Sequence, residues 1–219
     1  MNASAQREND SEALWKAFSR QPQELSLAQA RSLLTYLESI SRLDESAAES
    51  ILRSLTYGPE IREGLIREPH HEAPPNRRLE LWKGRYGGIL AAVLWSEGAY
   101  TPIHDHSHFA LTRVVEGGVT SLGFLIKSDK LLQSLGRVHF EKNRIYHVPT
   151  GDTFIHAVAN FGRKDAIELH YYASGTHPKP SHRYEPVDIF KNAANIRDGD
   201  LVEINRIVDP HQLDERFKV

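Results

Sequence analysis

The stretch Thr101–Phe109, TPIHDHSHF, carries three histidines at His104, His106 and His108. Extended backbone alternates its side chains between two faces, so His104 and His106 share one face and Asp105 takes the other. Two imidazoles on one face can reach a single metal ion if the strand lines a barrel. His108 shares that face only while the strand stays regular, and it is read as a neighbour of the site. The 219-residue chain has no cysteine, which excludes disulfides, thiolate ligands and a thiol nucleophile. Any metal site must therefore be built from histidine and oxygen ligands.

The rest of the chain narrows the class. A hydrophobic content of 40% is enough for one good core with accessory elements. A net charge of -2 argues against a nucleic-acid groove or a polybasic membrane patch. No run approaches the roughly 20 apolar residues of a membrane span. The opening MNASAQRENDSE is polar and acidic, unlike a signal or transit peptide, so a cytoplasmic location is expected.

Before residue 73 the pattern is helical. Leu14, Trp15 and Phe18 recur at helical intervals. Ser26 followed by Gln29 forms a capping-box pattern, after which Leu27, Ala30, Leu33, Leu34 and Leu37 fall on one face. Asp44 is a second N-cap candidate, ahead of Ala47, Ile51 and Leu55. These three helices are expected to pack rather than to carry chemistry. Three prolines in EPHHEAPPNRR then break the period. From Leu79 onward short β-rich runs separated by turn residues predict an all-β sandwich or barrel, not βαβ units. After Arg183 the sequence is mixed and polar without strong periodicity.

The histidine stretch sits in a longer frame. Gly98 precedes His104 by six residues, and Gly117 follows His106 by eleven. Pro149-Thr150-Gly151 is followed by His156 and then Asn160. This frame resembles the two motifs of the cupin superfamily, G-x5-H-x-H-x3-E-x6-G and a later P-x-G followed by H-x3-N. Ala110 stands where the first motif has a glutamate ligand, and the second motif has four residues between Gly151 and His156. The resemblance implies a mainly β fold, an antiparallel jelly-roll-type barrel with the N-terminal helical segment packed on it. The expected division is residues 1–72 helical, 73–190 barrel with the metal site, and 191–219 a C-terminal extension packed on the barrel.

A 2-His-1-carboxylate triad is the usual non-haem iron arrangement, and the absent glutamate leaves three neutral imidazoles instead. Asn160, His139 and His147 are read as structural. Among cupins the pattern resembles the cysteine dioxygenase type I family, over roughly residues 75–174. WSEGAYTPIHDHSH is similar to its W-G-x-G-x-x-x-x-H-D-H-T segment, and FIHAVANFGRKDAIELHYYASG to its I-H-R-V-x-N stretch followed by S-x-H-x-Y-G.

By position, that resemblance implies metal ligands at His104, His106 and His156, with His170 orienting Tyr172 beside the substrate and oxygen. The carboxylate-binding arginine falls at Arg78, although a one-residue slip would choose Arg77 and flip its face. The sequence departs from the family at Asn76, where a tyrosine is common, at Glu168, where the triad has serine, and at Ala110. The activity implied is Fe(II)-dependent oxidation of a small thiol by O2, with a small-molecule thiol and O2 as partners and no nucleic acid or membrane. Two alternatives stand beside it: a three-histidine cupin oxygenase cleaving a diketone or phenolic substrate, and a barrel that binds a metal or small ligand without turnover.

Overall fold

The computed structural model describes residues 3–67, 76–106, 108–148, 155–173, 182–186 and 195–208. Four helices come first: α1 (Ala3–Arg20), α2 (Leu27–Ser39), α3 (Glu45–Ser54) and α4 (Pro59–Arg67). Ser26 caps α2 through a complete capping box with Gln29, and the Asp44 carboxylate accepts from Ala47 N at 2.8 Å to start α3. Helix α4 lies beyond the three that the apolar periodicity predicts. It is short, and its buried face is only Ile61 and Leu65, one helical turn apart. Pro59 at its first position fits a helix start, where a missing N–H costs nothing. Gly64 inside it is explained by packing, since a Cβ there would lie 2.5 Å from Leu79 Cδ2.

Eleven strands follow among the described residues. Strands β1 (Asn76–Lys83), β2 (Ile89–Trp95), β9 (Ala166–Tyr172), β4 (Ala110–Glu116) and β7 (Ile145–Val148) form one antiparallel sheet in that order. Strands β10 (Arg183–Pro186), β11 (Leu201–Val208), β6 (Leu131–Glu141), β5 (Gly118–Ser128), β8 (Ile155–Ala159) and β3 (Ile103–His104) close into a barrel. The architecture is therefore mainly β, an antiparallel barrel with helices packed on the β-structure, as the cupin resemblance implies. Among the described residues no helix is long and apolar enough to cross a membrane. The expected boundaries at 72/73 and 190/191 lie outside the described residues. Strand β11 is an integral barrel strand, paired with both β6 and β10. Among its side chains that are described, Val202 and Ile204 enter the core, too short a signal to stand out in a polar stretch.

Strand β9 is central and buried on both faces. Its odd residues Ile167, Leu169 and Tyr171 join Leu90, Ala92 and Leu94 of β2 in one core with the helices. Its even residues Glu168, His170 and Tyr172 take the opposite face, together with Val93, Trp95, Ala110 and Val114. That second face meets the barrel strands, since Val119 and Val158 belong to the same apolar cluster. A third cluster, including Ile103, Leu122, Phe124, Ile155 and Ala157, fills the barrel. Each fully buried leucine in these cores contributes roughly 1.5–3 kcal/mol, so polar residues on the inner face must find partners rather than water.

Candidate metal centre

The turn after β2 delivers the histidines. Gly98 adopts φ +75°, a left-handed conformation that L side chains resist. Its N–H donates to Asn160 O at 3.0 Å. The chain then zips along β8 through Thr101 N to Val158 O at 2.8 Å and Val158 N to Thr101 Oγ1 at 2.9 Å. The pairing then shifts by one residue, from Tyr100 opposite Ala159 to His104 opposite His156 on the adjoining antiparallel strand. Ile103, Ile155 and Ala157 turn into the barrel core, so the two histidines face the other sheet. Asn160 is structural: its amide donates to the carbonyls of Trp95 and Lys164 and its carbonyl accepts from Gly162 N, which fixes the turn after β8. Pro149, Thr150 and Gly151 lie outside the described residues.

Strand β3 ends at His104, so His106 is placed by a loop rather than by a regular strand. What holds that loop is Asp105, only 2% exposed. Its carboxylate accepts from His182 N at 2.5 Å and Tyr184 Oη at 3.1 Å and pairs with His182 Nδ1 at 2.9 Å. Asp105 therefore points away from the histidine cluster and ties the loop to β10. His182 and Tyr184 carry no sequence signal for this role, because their partner lies some 77 positions away.

His104, His106 and His156 offer ligand nitrogens that all lie within 4.8 Å of one another. His106 Nε2 and His156 Nε2 are 2.8 Å apart. The far ring nitrogens are already engaged: His104 Nδ1 donates to Pro102 O at 3.0 Å, and His156 Nδ1 meets Ser121 Oγ at 3.2 Å. The carbonyl fixes the His104 tautomer with the Nε2 lone pair toward the cluster, and the Ser121 hydroxyl orients the His156 ring with its Nε2 on the same side. Burial is the main reason all three stay neutral. It lowers His104 and puts His156 well below the ordinary histidine range, and the neighbouring histidines add to the effect on His156. His106 is pushed down to about 2, by burial and then by His104 and His170. Converging lone pairs on neutral imidazoles form a donor set for a divalent ion, and no carboxylate belongs to the cluster among the described residues. His108 is not part of the group. His139 contacts Thr120 Oγ1 at 3.1 Å, and exposed His147 bridges to Glu45 and Glu49 of α3.

The facing sheet supplies the second layer. The Tyr172 ring stacks on the His106 ring with centroids 6.3 Å apart, and its hydroxyl is 3.1 Å from His170 Nδ1. His170 Nε2 is 3.2 Å from Glu168 Oε2, and that fully buried carboxylate also accepts from Trp95 Nε1 at 2.8 Å and Tyr146 Oη at 2.6 Å. The Tyr172 hydroxyl is raised above its ordinary range, first by burial, with Arg78 opposing. The choice between the two arginines is decided by pairing. Arg78 lies opposite Val93, which lies opposite Glu168, so Arg78 shares the inner face, and its guanidinium sits 5.2 Å from the Tyr172 ring centroid. Arg77 lies opposite Leu94 on the helix side and donates to Ile66 O at the end of α4. Of the residues near the site, Ser121, Thr112 and Tyr146 went unremarked in the sequence; none stands within a motif.

No family model and no curated protein matches this sequence. Solved structures to which it is similar include the cupin domain of Schizosaccharomyces pombe Cnp3, at 14% identity over 51% of this chain and 68% of that one, with a TM-score of 0.39. An oxalate oxidase is similar at 20% identity, over 51% of this chain and 57% of its own, with a TM-score of 0.39. A cupin superfamily protein of Desulfitobacterium hafniense is similar at 12% identity over 55% of this chain and 94% of that one, with a TM-score of 0.38. The chain thus spans a little over half the length of the oxalate oxidase.

Proposed function

We propose that this chain is an Fe(II)-dependent dioxygenase that converts a small carboxylate-bearing thiol, such as cysteine or 3-mercaptopropionate, to its sulfinic acid. The observation that carries this reading is the site's composition: three neutral histidines with no carboxylate in the cluster among the described residues, facing a tyrosine stacked beneath an arginine. The reaction balances as one thiol plus one O2 giving one sulfinic acid, with both oxygen atoms ending on sulfur.

His104, His106 and His156 would hold the ion through Nε2. When bound, ferrous iron would supply Lewis acidity toward the thiol and a place for dioxygen. Neutral ligands leave the positive charge of the site uncompensated, which favours an anionic substrate. The Arg78 guanidinium offers paired donors to a carboxylate. Its contact with the Tyr172 ring holds it on the inner face rather than out in solvent. His170 holds the Tyr172 hydroxyl in place, and the two rings stack with centroids 5.6 Å apart.

The test is oxygen uptake by iron-loaded protein with cysteine, 3-mercaptopropionate and cysteamine, with product mass measured in parallel. Uptake matched by a mass gain of two oxygen atoms on a thiol supports the reading. Uptake with a diketone or phenolic acid and none with thiols would replace it with a C–C-cleaving oxygenase. No uptake with either class would make the barrel a metal or ligand carrier.

A further inference from the structure

We infer that Asp105 is a positioning residue for the histidine cluster: through it the start of β10 sets His106, so that metal binding and the seating of β10 are coupled. This role rests on the metal-centre part of the proposed function and on neither iron nor a thiol.

The three candidate ligands are held in different ways. His104 ends β3 and His156 lies within β8. Each also has an outer contact on its ring, Pro102 O for His104 and Ser121 Oγ for His156. His106 has neither support. It follows the end of β3, and its Nδ1 makes no hydrogen bond among the described residues. Its ring meets His156 Nε2 at 2.8 Å and stacks on Tyr172, contacts that leave its backbone unfixed. The fixing comes from the residue before it. Asp105 N–H donates to His182 O at 3.2 Å. Its carboxylate accepts from His182 N at 2.5 Å and Tyr184 Oη at 3.1 Å, and pairs with His182 Nδ1 at 2.9 Å.

Strand β10 is itself braced, so it can act as an anchor. The Tyr184 ring is buried in the barrel core, with Tyr184 opposite Ile103. On its other side β10 pairs with β11, where Arg206 and Glu185 add an ion pair at 2.6 Å. Asp105 is thus the joint between a barrel strand and a ligand that no strand holds. A buried carboxylate needs donors in any fold, and on that ground alone the cluster would serve stability only. Its placement adds more, since a candidate ligand flanks Asp105 on each side and all its partners lie within residues 182–184. With the joint intact, His106 is ordered before the ion arrives. Without it, ordering even one backbone residue at binding would weaken affinity by roughly 5- to 30-fold. Coupling of this kind is reciprocal, so a bound ion must also hold the start of β10 more firmly.

The probe is zinc(II) alone, with the full-length protein. Affinity is measured by chelator competition, and metal-free stability by urea unfolding, for the wild type, Tyr184→Phe, Asp105→Ala and the double variant. Asp105→Ala should weaken zinc binding by roughly 10- to 100-fold. Tyr184→Phe takes one hydroxyl from Asp105 and leaves the ring in the core. It should weaken binding about two- to fivefold in the wild-type background, and not at all in Asp105→Ala. Unchanged affinity in a destabilised Tyr184→Phe protein overturns the inference, because a purely structural carboxylate predicts that result. So does a Tyr184→Phe loss that persists undiminished in Asp105→Ala. Hydrogen exchange of the wild type decides the same point if Asp105→Ala does not fold. The His182 amide, which donates to the Asp105 carboxylate, should be slowed by zinc more than the amides of α2, packed on the other face of the sheet. Equal slowing overturns the coupling. A wild type that binds no zinc overturns the metal centre itself and the coupling with it, whereas zinc binding without these effects overturns the coupling alone.

Discussion

Ser121→Ala isolates a single support of the candidate metal centre. Its hydroxyl is buried and lies 3.2 Å from His156 Nδ1, on the side of the ring away from the cluster. The substitution removes one oxygen and leaves no large cavity. It does remove a buried hydrogen-bond partner of His156, at a cost of roughly 1–3 kcal/mol. That cost falls on the metal-free and metal-bound protein alike, so it lowers unfolding stability but largely cancels from metal affinity. What remains for affinity is the ring itself. Freedom to flip between two orientations dilutes the competent one by about twofold. Loss of the outer hydrogen bond also makes Nε2 a poorer donor. Removing such outer partners typically weakens metal binding by about 10- to 100-fold, or roughly 1.4–2.7 kcal/mol. The flip therefore explains only a small part, and basicity explains most. The assay is competition for Co(II) or Zn(II) against a chelator of known affinity, with urea unfolding of the metal-free protein in parallel. Unchanged affinity in a destabilised Ser121→Ala protein would falsify the assignment of His156 Nε2 as a ligand.

Alanine at His104, His106 or His156 should abolish stoichiometric metal binding in a folded protein, while His108→Ala retains it; elemental analysis showing full occupancy in His156→Ala contradicts the three-histidine centre. Arg78→Ala should raise KM for a carboxylate-bearing thiol by roughly 10- to 100-fold, whereas Arg77→Ala, altered on the helix face, should leave KM unchanged. Steady-state kinetics giving the reverse ranking would place the wrong arginine at the site. The buried histidines also predict an acid-labile metal-free state. His106 falls from its ordinary 6.5 to about 2, so the unfolded chain binds the proton first, and stability is lost as pH drops below about 6.5. Between pH 6.5 and 5 this one residue accounts for about 1–2 kcal/mol, allowing for its partial solvent contact. Urea midpoints that stay flat over that interval would show that His106 charges freely in the folded protein.

Local chemistry made much of this protein legible without coordinates. Ser26 with Gln29, and Asp44, announce two helix starts, because a cap and its partner are three residues apart and need no tertiary help. The spacing of Gly98, His104, His106 and His156 marks the candidate metal group, but strand β3 ends at His104, so His106 owes its place to the Asp105-anchored loop rather than to strand alternation. Helix α4 and β11 were not legible, since among the described side chains each buries two alternating or turn-spaced apolar residues that look like surface sequence until the rest of the core covers them. The choice between Arg77 and Arg78 also waited for the structure. Their order in the chain is fixed, but which of them faces Tyr172 depends on the pairing of Arg78 with Val93 across β1 and β2. Glu168 is the clearest case. In sequence it is an acidic residue within a run of apolar and aromatic neighbours. Only the packing of β9 between β2 and β4 brings Trp95 and Tyr146 to its oxygens, from 73 and 22 positions away. A buried carboxylate takes its meaning from the donors that surround it, and those are assembled by long-range strand pairing rather than by neighbours along the chain.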